Sequence, residues 1–190
     1  MSNSILHIKG MVCPRCIMAV EDLLNKLNIE YKQVSLGTVH LNNPIDPENE
    51  ISLNQSLNKM GFEILNDKKT QTIEKIKNAI INNVHHQNDP EKIGRLSELL
   101  PEILGQNYTS LSSLFSDIEG YTIEKYFILQ KIEKSKELLV YEELSISEIA
   151  HKLNYSSSQH LSRQFKNVTG LSPSEFKKTT KKVRLPLSEI

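Results

Sequence analysis

The sequence predicts two folds in one chain. An α+β portion of βαββαβ order covers residues 1–67, and an all-helical portion covers residues 68–180, with a short tail over 181–190. Three observations carry this. Up to residue 67, short apolar alternations flank two stretches of helical period. From Ile73 onward, apolar residues recur at helical spacing. And the stretch SISEIAHKLNYSSSQHLSRQFKNVTGLSPSEF, residues 145–176, reads as two short helices, a turn and a closing helix, and it has an earlier, weaker copy.

Composition narrows the function classes. No run approaches the roughly 20 apolar residues of a membrane helix, and no secretory signal opens the sequence, so no membrane partner and a cytoplasmic protein are the expectations. Formal charge is zero, with 23 Lys and Arg against 23 Asp and Glu. The distribution is uneven. Residues 1–67 carry five basic and eight acidic residues, net −3, whereas residues 157–184 carry seven basic residues and one Glu, net +6. Basic charge gathers where a footprint on nucleic acid would need it. The two cysteines, Cys13 and Cys16, form one close pair, which in a cytoplasmic protein points to metal or redox chemistry rather than a disulfide framework.

Taken in order, Ser4–Met11 alternates as a strand, with Ile5 or Leu6 buried and Ile8 with it. The loop Val12-Cys-Pro-Arg-Cys16 leads into a helix marked by Ile17, Val20, Leu23, Leu24 and Leu27. Tyr31–Leu36 and Val39–Leu41 read as strands around a turn at Gly37. Pro44–Pro47 reads as loop, and Ile51, Leu53, Leu57 and Met60 as a helix closed by Gly61. Phe62–Leu65 is a last strand. This order is that of a ferredoxin-like sandwich. Two cysteines three apart, at a loop and a helix start, can turn both sulfurs toward one ion, and the helix N-terminus should lower thiol pKa values. Soft thiolates select soft ions, so Cu(I) leads, with Zn(II) or Cd(II) behind it. Met11 reads as core beneath the loop, and His7 and His40 as exposed strand residues.

With Gly10-Met-Val-Cys-Pro-Arg-Cys16 at the first strand-to-helix junction and Met60-Gly-Phe-Glu63 at the end, residues 3–67 resemble the heavy-metal-associated domain of copper chaperones and metal-transporting ATPases. Val12 departs from that family, which usually has Thr there. The resemblance implies Cys13 and Cys16 as metal ligands. Two other readings stay open: a redox dithiol, and a retained fold that serves only as an interaction module.

A short polar join, residues 66–70, precedes an amphipathic helix marked by Ile73, Ile76, Ile80 and Val84. His85 and His86 at its end read as a solvated cap. Leu96–Leu104 is a helix containing Pro101; since a mid-helix Pro costs on the order of 3 kcal/mol, the helix is expected to start near Leu99 with Pro101 in its first turn. Tyr108–Asp117 is the next helix. Thr122 caps a long one to about Tyr141, with Phe127, Ile128, Ile132, Leu138 and Leu139 apolar. Some 18 residues span roughly 27 Å. Ile146, Ile149, Ala150 and Leu153 then share one helical face, Asn154 and Tyr155 break it, and Ser156 or Ser157 caps a helix that buries Leu161, Phe165 and Val168. Its other side shows Ser158, Gln159, Ser162, Arg163 and Lys166, groups that bond base edges or phosphate. Two short helices at an angle, the second polar and basic, make a helix-turn-helix.

The earlier copy lies fifty positions upstream. Leu111-Ser-Ser-Leu-Phe115 and Gly120 recur as Leu161-Ser-Arg-Gln-Phe165 and Gly170, and Thr122 and Tyr126 as Ser172 and Phe176. On these residues, the stretch from about Thr70 to Lys178 is similar to the double helix-turn-helix DNA-binding domain of the AraC family of bacterial transcription regulators. The first helix-turn-helix spans about 96–119, the connecting helix 122–141 and the second helix-turn-helix 145–170. The resemblance implies a double-stranded DNA operator as partner, leaves RNA polymerase open as another, and places Thr109, Ser110, Ser112 and Ser113 of the first module toward the groove. That module has no Lys or Arg there, and Asp117 and Glu119 repel phosphate, so it should bind weakly. In the second, Arg163 suits guanine, Gln159 suits adenine, Ser158 and Ser162 suit bases or backbone, and Lys166 suits phosphate. A family contact at His160 is left open.

The expectation is a DNA-binding transcription regulator, metal-responsive through Cys13 and Cys16, and not an enzyme: no nucleophile–base pair, phosphate loop or carboxylate pair stands out. A metal chaperone or a dithiol redox protein is the alternative.

Overall fold

The computed structural model describes residues 5–87, 89–141, 144–179 and 184–190. They divide into two compact units, one ending at Asn78 and one starting at Ala79.

The first unit is built on a four-stranded antiparallel sheet of β1 (Ile5–Lys9), β2 (Tyr31–Ser35), β3 (Thr38–Leu41) and β4 (Glu63–Ile64), in the order β2-β3-β1-β4. Helix α1 (Pro14–Lys26) connects β1 to β2, and α2 (Pro47–Lys59) connects β3 to β4. Period-two alternation sends Leu6 and Ile8 into one core with Met11, Val20, Leu24, Val39, Leu53 and Leu57. His7 is on the other face, where it meets Lys75 of α3 (Lys68–Ile81). Helix α3 is tied there by polar bonds. The Gly10 N–H donates to Glu74 Oε1 (3.1 Å), and Gln71 Nε2 donates to the Leu65 carbonyl (2.7 Å). The turn at Gly37 favours glycine for its φ of 76°, and a Cβ there would lie 2.3 Å from the Nδ2 of Asn78 and push that side chain aside.

Three expectations change in this unit. Helix α2 begins at Pro47, the residue read as the end of a loop, because Asp46 caps it by accepting the Asn49 N–H (2.9 Å) and Pro suits a first helical position. Only Leu53 and Leu57 of α2 reach the core; Ile51 is 59% exposed because its place two residues before Leu53 puts it on the opposite face, and Met60 is 44% exposed because it is the C-cap, where the helix has ended. His7 and His40 are both half-buried rather than exposed; the His7 Nδ1 has no hydrogen-bond partner among the described residues, and burial first, then Lys75 and His40, push the His7 pKa down.

The second unit is helical. Beyond α3, Asn82–His86 continues as a π-turn; α4 (Leu96–Leu104), α5 (Tyr108–Glu119), α6 (Ile123–Tyr141), α7 (Ile146–Lys152), α8 (Ser158–Thr169) and α9 (Pro173–Lys178) follow. The predicted repeat appears in the caps. Gly120 and Gly170 both end their helices in the left-handed conformation, and Thr122 and Ser172 both accept the N–H three residues on. Phe115 meets Tyr126 at 5.8 Å between ring centroids, and Phe165 meets Phe176 at 5.4 Å. Between α4 and α5 the left-handed position is Gly105; between α7 and α8 it is Asn154, with φ 49°. Asn is among the few side chains that tolerate this conformation.

Helix α4 starts at Leu96, not near Leu99, so Pro101 lies inside it. The carbonyl that Pro101 leaves unbonded belongs to exposed Ser97, which water can satisfy. His85 is also not the solvated cap expected: its Nε2 lies 2.9 Å from Oε1 of fully buried Gln130, and burial depresses its pKa to about 4. Gln130 in turn donates to the Tyr126 hydroxyl (2.9 Å). The C-terminal tail lies along α6: Arg184 pairs with Glu137 (3.0 Å) and Glu133 (3.4 Å), and the Leu185 N–H donates to Glu133 Oε1 (3.1 Å). The tail residues 180–183, part of the basic run read from the sequence, lie outside the described residues.

Candidate functional site

The second helix-turn-helix is set by local chemistry. Ser145 and Glu148 form a reciprocal capping box at the start of α7, and Ser157, rather than Ser156, caps α8 by accepting the His160 N–H (3.1 Å). Leu161 and Phe165, four apart, seat α8 in a core with Ile149, Leu153 and Phe176. The opposite stripe carries Gln159, Arg163 and Lys166, all exposed, at the i, i+4, i+7 spacing of a single helical face.

The other residues named from sequence are placed differently. Ser158 and Ser162 are half-buried; the Ser162 hydroxyl donates to the Ser158 carbonyl (2.8 Å), and that of Ser158 to Gln159 Oε1 (3.3 Å). His160 turns back to the cap: its Nδ1 lies 3.0 Å from Ser156 Oγ, and its ring stands edge-on to Tyr155, centroids 5.3 Å apart. In the first module, Thr109, Ser110 and Ser113 of α5 are exposed and Ser112 is half-buried. Asn107 caps this helix by accepting the Ser110 N–H (2.8 Å). Exposed Asp117 lies near its far end. The face therefore offers hydroxyls and no cation.

Sequence reasoning missed a polar cluster between the modules. Lys131 of α6 is buried; its Nζ lies 3.7 Å from the Tyr155 ring centroid, 5.3 Å from that of Phe127, and 3.4 Å from the Asn154 carbonyl oxygen. Burial pushes its pKa down to about 8. A lysine four residues from Phe127 on an otherwise apolar stripe was the available signal. Asn154 was read as a helix break and as the counterpart of Gly105, with no partner in view.

In the first unit, the thiol pair is brought together. Cys13 is the N-cap of α1 and Cys16 lies in its first turn, with the sulfurs 3.4 Å apart and both residues half-buried. Cys16 Sγ also lies 3.9 Å from the Gly10 carbonyl oxygen. The expected lowering of thiol pKa does not hold for Cys16. Burial, the largest influence, pushes it up, and the backbone at Val12 only partly offsets this. Among the described residues, no third His, Cys, Asp or Glu joins the pair. Two converging sulfurs fit a soft ion content with two thiolates, and they fit a four-coordinate Zn(II) site less well. Arg15 is exposed beside them.

Residues 100–179 match the helix-turn-helix domain family. The chain is 29% identical over 102 residues to the uncharacterized HTH-type transcriptional regulator YtdP of Bacillus subtilis (strain 168), a match covering 54% of this chain and 13% of that protein. It is 35% identical over 68 residues to the Msm operon regulatory protein of Streptococcus mutans serotype c, covering 36% of this chain and 24% of that protein. The chain thus spans less than a quarter of the length of these curated relatives. Among solved structures, it is similar to the C-terminal domain of AraT, a response regulator from Geobacillus stearothermophilus, with 25% identity, 59% of this chain and 88% of that chain covered, and a TM-score of 0.48.

Proposed function

We propose that this chain, whose residues 100–179 match the helix-turn-helix domain family, is a sequence-specific transcription regulator of the AraC type that responds to a soft metal ion. Its partner is double-stranded operator DNA, with RNA polymerase the further partner that such a regulator would touch. The observation that carries the DNA-binding reading is the stripe Gln159, Arg163, Lys166 on a helix seated by Leu161 and Phe165, in the second of two modules built alike. Arg163 supplies a two-pronged donor for guanine, Gln159 pairs with adenine, and Lys166 neutralises phosphate. The serines at 158 and 162 play a smaller part, because their hydroxyls are engaged within the helix.

In the N-terminal unit, the strand order and the two helices support a ferredoxin-like domain resembling the heavy-metal-associated family. Cys13 and Cys16 would hold the ion, Cu(I) before Zn(II) or Cd(II), and the ion would supply a rigid, charge-altering link between two thiolates. The 3.4 Å sulfur separation also suits a dithiol that oxidises to a disulfide. Alkylation of the cysteines after copper chelation and after exposure to an oxidant separates the two readings.

Two results test the DNA interface. Arg163→Ala should lose roughly 1–3 kcal/mol of discrimination at one base pair, whereas Lys166→Ala should weaken all sequences alike and flatten the salt dependence. Binding titrations on matched and single-mismatch duplexes at several salt concentrations measure both. Unchanged sequence preference in Arg163→Ala would remove that residue from readout. The double substitution Ser112→Ala with Ser113→Ala should reduce affinity less than Arg163→Ala alone, because no charge is lost; the reverse order would make the first module the dominant one.

A further inference from the structure

Two recognition helices joined by one long helix can still pivot about it, so a fixed operator spacing needs a second tie. The described residues contain one on the line between the modules. Asn154, in the left-handed turn between α7 and α8, donates from Nδ2 to the Ile93 carbonyl (2.9 Å), which lies in the loop ahead of α4. Beside this bond, Lys131 of α6 reaches the Asn154 carbonyl from between the rings of Tyr155 and Phe127. The Phe127 ring closes against Gly94, where a Cβ would lie 3.6 Å from it. The loop is also held from the side of α3: buried Asn83 donates to the Lys92 carbonyl (2.9 Å) and accepts the Gly94 N–H (3.1 Å). The peptide groups on both sides of Ile93 are therefore fixed, and its carbonyl is a firm anchor for the second module.

We propose that Asn154, through its bond to the Ile93 carbonyl, sets the angle between the two recognition helices and so the spacing of the half-sites that the chain accepts. This rests on the reading that both modules meet DNA. One inserted base pair moves a half-site by about 3.4 Å and turns it by about 35°. A free pivot absorbs such a change, whereas a clasped pair loses one module's contacts, an effect on the order of tenfold or more in affinity.

The test is selection of random-sequence duplexes by the full chain. Asn154→Gly keeps the left-handed turn, which glycine adopts freely, and removes only the side-chain bond. Lys131→Met keeps an unbranched stem between the rings and removes the ammonium. Wild type should enrich two half-motifs at one spacing. Asn154→Gly should enrich the same half-motifs with spacings spread by a base pair or more on either side, and Lys131→Met should shift the same way to a smaller extent. An unchanged single spacing in Asn154→Gly overturns the proposal; if that variant selects nothing, an unchanged spacing in Lys131→Met does so. A single half-motif from wild type overturns it while leaving DNA binding in place, and no motif from wild type overturns the DNA-binding reading as well.

Discussion

Replacing Phe165 with alanine is expected to destabilise the helical unit by about 3–5 kcal/mol. The ring is 0% exposed and packs edge-on against Phe176, within the core that also holds Leu161, Ile149 and Leu153. Alanine would remove the transfer free energy of the ring, leave a cavity that the short helices α7, α8 and α9 can only partly close, and lose the aromatic pair with Phe176. A domain is stable by only about 5–15 kcal/mol, so a large part of the margin goes. Operator binding should fall with it, since α8 carries Arg163 on the face opposite Phe165. Urea denaturation of the full chain, followed separately by helix signal and by metal binding at the thiol pair, measures the loss and shows whether the first unit is spared. The control is Leu171→Ala at a 38% exposed site, expected to stay within about 0.5 kcal/mol. A loss below about 1 kcal/mol for Phe165→Ala would mean that α8 is not seated as described.

Copper loading is expected to change operator affinity by about 5–150-fold in one direction or the other, the size of a coupling free energy of ~1–3 kcal/mol. The local connections supply a reason. Gly10 stands between the thiols and α3: its carbonyl lies 3.9 Å from Cys16 Sγ, and its N–H bonds Glu74 of α3. Loading the pair requires that the Cys16 thiol lose its proton, which removes its donor toward the Gly10 carbonyl, on the residue whose N–H, in the preceding peptide, holds Glu74. The size of the effect is bounded by the difference in metal affinity between the states being shifted. By reciprocity, operator DNA must change metal affinity by the same factor. Cys13→Ser and Cys16→Ser should each remove both effects while leaving metal-free DNA binding intact. DNA titrations of wild type and both variants, with copper buffered by a competing chelator, decide it. Equal affinities for metal-free and loaded wild type would leave the N-terminal unit with an interaction role only.

What could be read from the sequence was what neighbours in the chain determine. The cap of α8 at Ser156 or Ser157, which the structure assigns to Ser157 through the His160 N–H, and the recurrence of Gly120 as Gly170, each in a left-handed helix end, rest on residues three or four apart or on the repeat, so residue type and spacing suffice. The convergence of Cys13 and Cys16 was legible for the same reason. Contacts between distant residues were not. His85 meets Gln130 across 45 positions, and Asn154 meets Ile93 across 61. A polar residue gives no sign of burial when its partner lies that far away, which is why Gln130, Lys131 and Glu133 went unseen among the apolar positions of α6. The pKa of Cys16 was misjudged because helix position is visible in a sequence while desolvation is not.

Helix α3 has a practical consequence for anyone who would divide the chain. The polar join at residues 66–70 looks like a natural place to cut, yet the packing boundary falls after Asn78, inside the helix. A fragment ending at Asp67 would leave the Gly10 N–H and the Leu65 carbonyl without Glu74 and Gln71, and would bare the side of His7 that Lys75 approaches. The complementary fragment would begin with turns whose buried Ile73 and Ile76 have lost their surroundings, an invitation to aggregate. Thiol chemistry measured on the short piece would then report on a damaged loop, and a separable amino-terminal fragment has to run at least to Asn78.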